Sequence, residues 1–460
     1  MTVFKCPPLD FLFTCVSLPL FLVDIVLDVL AAVSFYKEGA YVFLGFLVVC
    51  LVGSSLLVQA YSWLWYRYEN FEMYTKVENS LNKGWIKLLH FLQMGIYLRH
   101  AAVFETSVTS CCSKRRAEFA VYLSHDLSML RIVETFAESC PQLVLMLTIM
   151  LQEGRLDLVT VMKATGSFCA ITFCVTTYHR SLRSFLPDKK KQHTSSSIVF
   201  FLWNLLLIVS RLTALALFAS VLPCFIFTHF FCWWLVLFFC VWRSETKFME
   251  SSVGEWLYRA TVGLIWYFNW FNVADGDTRN RTLLYHVYTL GDISFLCGMW
   301  FWWMSTDPPD FVVPPFYARI TACSVVAVYI LGLLLKMLYY KCYHPKLNKE
   351  ELKGDDSEVA DLNCNRAPDV KDSPDVKDSP DVKDSSDETD YGVVLLMAKS
   401  HNVMEKMTDW AANLEDTSED AVYQNYQSEE VTDRAMDRSQ RTPPARCNKR
   451  MRKLAENFYA

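Results

Sequence analysis

Residues 9–36 read LDFLFTCVSLPLFLVDIVLDVLAAVSFY. The run is long enough to cross a bilayer, which takes about 20 apolar residues as a helix. It is too long, and too rich in Asp, for a cleavable signal peptide. It carries Asp10, Asp24 and Asp28. Asp24 and Asp28 are i,i+4 neighbours on one helix face. Asp10 lies five turns from Asp28, on the same face and about 27 Å away along the axis. One apolar helix therefore presents a carboxylate near each membrane surface. Pro19, between them, is expected to bend it.

Seven further apolar runs have spanning length, at 40–66, 118–151, 158–178, 198–221, 223–242, 282–303 and 317–341. Two less regular stretches, 84–104 and 254–272, carry ionisable groups. Each begins with a glycine near a tryptophan, Gly84-Trp85 and Gly254-Glu255-Trp256. Basic residues sort best when only the eight runs cross and these two segments dip in and return. Lys5, Lys114–Arg116, Arg180–Lys191, Arg279, Arg281 and Lys336–Lys346 then share the cytosolic side with both termini. The expected fold is an all-α polytopic membrane protein with eight transmembrane helices and two re-entrant segments. The order span, span, re-entrant, span, span occurs twice, which predicts parallel repeats. The domain expectation is repeats at 1–193 and 194–345 and a cytosolic regulatory tail at 346–460.

Charge follows the same division. The last 110 residues hold 15 Lys and Arg against 25 Asp and Glu. Totals of 44 and 49 leave 29 against 24 for the first 350 residues. A basic membrane portion and an acidic tail argue against a nucleic-acid binder and a disulfide-stapled secreted domain. Most cysteines sit inside apolar runs as small hydrophobes. Cys111 and Cys112, beside Lys114–Arg116, are candidates for palmitoylation. No metal-ligand spacing, Walker A loop, G-x-S-x-G or H-E-x-x-H motif is present, so neither cofactor nor enzyme activity is expected.

Other buried charges share faces too. Arg131, Glu134 and Glu138 follow spacings of 3 and 4 on the third span, and Arg211 lies on the fifth. A charge at the bilayer centre costs at least about 2.5–3.5 kcal/mol, so such groups serve either packing or passage. Arg211 reads as a partner for Glu134, Glu138 or an Asp of the first span. A carrier concentrates its site at the midplane. Here polar groups run from surface to surface, which suits a lipid headgroup sliding along a track with its tails in the bilayer.

Several stretches resemble the XK-related family: Ser62-Trp63-Leu64-Trp65-Tyr66, ETFAESCPQLVLMLTIML at 134–151, and FNVADGDTRNR at 271–281 followed by Tyr285-His286-Val287-Tyr288. The resemblance covers about residues 5–345. It implies eight spans with two membrane-dipping segments, plasma-membrane residence and, in several members, phospholipid scrambling opened when a caspase removes a C-terminal piece. It implies a lipid path along Asp10, Asp24, Asp28, Glu134, Glu138 and Arg211. It also implies a single-span immunoglobulin-like glycoprotein as a partner. Other members are not known scramblases, so a membrane adaptor or small-solute transporter is the alternative.

The tail repeats PDVKDS three times over 368–385, a composition that predicts disorder. Asp387-Glu388-Thr389-Asp390 follows, with the Asp-x-x-Asp pattern an executioner caspase reads, and cleavage is expected after Asp390. Asp361 and Asp420 are the alternatives. The apolar run Gly392–Met397 beyond is read as a plug that leaves once untethered.

Overall fold

In the computed structural model, the structure describes residues 8–69, 71, 75–110, 114–154, 158–185, 192–244, 246, 248–272, 279–307, 311 and 313–343. The tail, with Asp361, Asp390 and Asp420, and the pair Cys111–Cys112 lie outside the described residues.

The described chain is helical, with no strand among these residues. Its order is α1 (Pro8–Lys37), α2 (Tyr41–Tyr68), α3 (Lys76–Asn79), α4 (Lys83–Phe91), α5 (Gly95–Ser110), α6 (Lys114–Glu134), a π turn (Thr135–Ser139), α7 (Cys140–Glu153), α8 (Leu158–Phe185), α9 (Thr194–Val221), α10 (Phe225–Arg243), α11 (Ser252–Phe268), α12 (Arg279–Thr306), α13 (Pro315–Leu338) and a second π turn (Tyr339–Tyr343). Six segments are long and apolar enough to cross a membrane: Val16–Lys37, Tyr41–Tyr68, Ala120–Glu153, Thr194–Val221, Phe225–Arg243 and Pro315–Tyr343. At 28 residues each, α8 and α12 have the length but carry more polar side chains. α1 runs through Pro19 as one helix.

Burial grades the helices by position. α9 and the α6–α7 segment are the most enclosed, each with 56% of its most apolar stretch buried, against 11% for α1. α9 packs on α7 and α8 along one side and on α12 and α13 along another. α1 turns Leu22, Val26 and Leu30 outward. Exposed aliphatic groups on a helix of this length are what a lipid-facing element requires.

The two irregular segments differ. Both open on a side-chain cap: Asn82 Oδ1 accepts from Trp85 N at 2.9 Å, and Ser251 Oγ accepts from Gly254 N at 3.1 Å. Such caps satisfy an amide that has no intrahelical acceptor. α11 is one helix of 17 residues, whereas the first segment breaks between α4 and α5. There Gln93 has φ +63°, and α2 supplies the missing partners. Gln59 Nε2 donates to Gln93 O at 3.0 Å, and Gln59 Oε1 accepts from Gly95 N at 3.0 Å. Ser55 Oγ donates to Gln93 Oε1 at 2.8 Å. Non-helical backbone at membrane depth is tolerated when protein satisfies it in this way.

Gly95 is required at that break. A Cβ there would lie 2.4 Å from Gln59 Oε1 and 2.6 Å from the His90 ring. Gly95→Ala is therefore expected to push the clasp apart at a cost of about 1–3 kcal/mol, read as a lowered thermal midpoint of the detergent-solubilised protein. Gly53→Ala, inside α2 where nothing lies within 4 Å, is the control and should not lower the midpoint, since alanine favours a helix over glycine.

Candidate functional site: an acidic cleft beside the first helix

The carboxylates of α1 meet those of the α6–α7 segment. Arg131 Nη1 pairs with Glu134 Oε2 at 2.5 Å, and its Nη2 lies 4.0 Å from Asp24 Oδ2. The Arg131 guanidinium also lies over the Phe21 ring, 4.7 Å from its centroid. Asp24 keeps 34% of its side chain exposed. Asp28 and Glu138 are buried, and Ser54 of α2 donates to Glu138 Oε2.

The π turn helps aim these groups. Pro141 has no N–H to give to the carbonyl four residues back, which disrupts the regular ladder at that point. The backbone widens into a π turn at Thr135–Ser139, a feature common at functional sites. Glu134, just before it, and Glu138, within it, both line the same cleft.

That cleft has a volume of about 550 Å³ and is walled by α1, α2, the α4–α5 break and the α6–π segment. Asp28, Glu134, Glu138, Ser54, Ser55, Gln59 and Gln93 supply its polar groups, while Ile25, Val29, Val33, Leu44, Leu51 and Ile96 are among its apolar ones. On α1 the lining runs from Phe21 to Lys37, about 24 Å of helix. The result is a furrow whose lining mixes carboxylates, hydroxyls and amides with aliphatic side chains. No cluster of three or more His, Cys, Asp and Glu with metal-binding geometry occurs among the described residues.

Of the six path residues expected from sequence, Asp28, Glu134 and Glu138 line the furrow, and Asp24 joins them through Arg131. Asp10 lies in α1, its side chain outside the description. Arg211 stands elsewhere. Its Nη1 donates to Asp292 Oδ2, and its Nε donates to Tyr267 O at 3.0 Å. Asp292 Oδ1 accepts from His229 Nε2 at 3.0 Å, and His229 Nδ1 accepts from the Tyr267 hydroxyl at 2.9 Å. The expected pairing of Arg211 with Glu134, Glu138 or an α1 aspartate is thus corrected. α9 and α12 are packed neighbours, which puts Asp292 within reach.

The XK-related protein family matches residues 12–345. XK-related protein 8 of Tetraodon nigroviridis is 44% identical over 344 residues, 74% of this chain and 84% of the relative. Its counterpart from Gasterosteus aculeatus is 44% identical over 347 residues, 74% and 85% of the two chains. XK-related protein 8 of Pan troglodytes is 36% identical over 333 residues, 71% and 81%. The chain belongs to the XK-related family.

In this XK-related chain, two further polar clusters went unread in the sequence. Arg99 is buried between Asp126, 3.7 Å away, and the Tyr66 ring, 3.8 Å from its centroid. Lys336 Nζ donates to His286 Nε2 at 2.7 Å, and His286 Nδ1 donates to the Tyr329 hydroxyl at 2.9 Å. The only available signal was a charge or histidine interrupting an apolar run. Nothing in spacing named the partners.

The Arg211–Asp292 pair generates a direct test. Removing one partner strands a buried charge, which costs about 3–5 kcal/mol, whereas replacing both by apolar groups is near neutral. Arg211→Met should therefore lower the thermal midpoint sharply, and Arg211→Met/Asp292→Leu should recover most of the loss. Thermal unfolding of the purified variants in detergent measures both.

Proposed function

We propose that this protein is a phospholipid scramblase of the plasma membrane, moving lipids, phosphatidylserine among them, in both directions between leaflets after caspase cleavage of its tail. The observation that carries the reading is the furrow beside α1. A headgroup lying on Asp24, Asp28, Glu134 and Glu138 keeps polar contacts while its acyl chains remain in lipid past the outward aliphatic face of α1. Such a path lowers the desolvation barrier to crossing and requires no energy source. Asp10 extends the track toward the cytosolic end. Arg211, closed on Asp292, ties α9 to α12 and is not part of this furrow. The name of XK-related protein 8, shared by the relatives above, supports placement in the scramblase branch of the family resemblance.

The topology that goes with this reading has eight crossings. α8 and α12 join the six most apolar segments. α4 and α5, about 14 and 24 Å long, and α11, about 25 Å, fall short of a hydrocarbon core of about 30 Å and serve as re-entrant elements. Residues 1–193 and 194–345 are parallel repeats, and both termini lie in the cytosol. The tail, 346–460, is the regulatory element. Cutting after Asp390 releases the segment that begins at Tyr391, and loss of the tether lowers its effective concentration at the membrane portion. A single-span immunoglobulin-like glycoprotein is the proposed accessory subunit.

Surface phosphatidylserine in cells lacking their own scramblase tests the reading. The wild-type chain should expose lipid only after an apoptotic stimulus, and Asp390→Ala should not. Asp28→Asn/Glu138→Gln should reach the surface, be cut normally and expose lipid at least severalfold more slowly. A response retained in Asp390→Ala moves the cut to Asp361 or Asp420. A cleaved, surface-resident wild type that exposes nothing removes the scramblase reading in favour of an adaptor.

A further inference from the structure

Phe21 stands at one end of the furrow. On α1 the lining runs from Phe21 to Lys37, and none of residues 16–20 takes part. Phe21 is the fourteenth of the 30 residues of α1, so the furrow follows only the later half of that helix. In the proposed topology this half faces the outer leaflet, because Lys37 lies at the outer end. Among the described side chains of α1, only Phe21 and Asp28 are buried, and Phe21 is 2% exposed. The Phe21 ring fills a slot against α5 and α6. It stacks on the His100 ring at 15° with centroids 4.7 Å apart, and it meets Tyr97 at 51° and 5.5 Å. The Arg131 guanidinium covers it at 4.7 Å. In the same slot, His100 Nε2 and Arg131 Nε are buried with no hydrogen-bond partner among the described residues. Those two residues are 5% and 6% exposed.

We propose that Phe21 is a gate: its ring closes the furrow halfway along α1, and its exit from the slot joins the furrow to the inner leaflet. The helix suits such a movement. Apart from Phe21 and Asp28, its described side chains are half-buried or exposed, so a small shift of α1 withdraws the ring. Hydrocarbon leaves polar groups unmet at a cost. Two unpaired nitrogens beside one apolar ring therefore mark where a polar visitor enters once the ring has gone. Arg131 has two alternative partners on that side. The ring face holds it by cation–π attraction, which burial strengthens. The oxygens of a headgroup phosphate hold a guanidinium by charge-assisted hydrogen bonds, and His100 Nε2 adds another when it carries the ring proton. A headgroup thus replaces the contact that shuts the gate, so occupancy and opening favour each other. The gate's part in lipid passage rests on the scramblase reading; the closure itself does not.

The test is thiol labelling of the surface-resident full chain in intact cells that lack their own scramblase. Ser17 lies one turn before Phe21 on the same helix face. Ser17→Cys should react slowly with an impermeant biotinyl methanethiosulfonate added outside, measured against the chain without that substitution. Adding Phe21→Ala should raise the reaction about tenfold or more with no apoptotic stimulus, the shift expected on losing a desolvated cation–π contact. Phe21→Leu, which keeps much of the packing without the ring, should raise it less. Cutting the tail of the Ser17→Cys chain should raise it as well. Surface phosphatidylserine is followed in the same cells, and uncut Phe21→Ala should expose it. Protection of Ser17→Cys in both Phe21 variants overturns the proposal. So does lipid exposure by the cut chain while Ser17→Cys stays protected. Labelling that rises with no lipid exposed, even after the cut, keeps the gate and removes the scramblase reading. Lipid exposed by the cut chain, with uncut Phe21→Ala neither labelled nor active, does the reverse.

Discussion

Hydrocarbon offers no hydrogen bonds, so every polar group within a membrane-type helix bundle must find its partner in the protein or face an opening. The α4–α5 break and the buried Arg211 obey that constraint differently. At the α4–α5 break, Gln59 takes both roles at once, accepting from Gly95 N and donating to Gln93 O. Because that break carries Gln93, Ile96 and Tyr97 into the cleft wall, the shape of the furrow depends on the clasp. The buried Arg211 meets the same constraint by closing on Asp292 and on the Tyr267 carbonyl.

The two charged regions differ in their balance of charge. Around Asp292 one guanidinium meets one carboxylate, and a histidine and a tyrosine hydroxyl complete the hydrogen bonds. A network whose task is to fix α9 against α12 has no need of more. Beside α1, four carboxylates, Asp24, Asp28, Glu134 and Glu138, stand near one guanidinium, Arg131, which meets only Glu134 and Asp24. A closed network with that excess of carboxylates would be costly to bury. The excess lies along an open cleft, lined by Asp28, Glu134 and Glu138.

Much of this was legible in the sequence because it depends on period alone. The apolar runs gave the helices, and the spacings of Asp24 to Asp28 and of Glu134 to Glu138 placed those side chains on common faces. The π turn at Thr135–Ser139 was not anticipated, since the pattern of 118–151 reads as one uninterrupted helix, and only the structure shows the backbone widening ahead of Pro141. Partner identity was not legible. Arg211 finds Asp292 81 residues away, and only the adjacency of α9 and α12 makes the pair. Ser54, Gln59 and Gln93 look like ordinary polar residues until α2 is laid against the α4–α5 break.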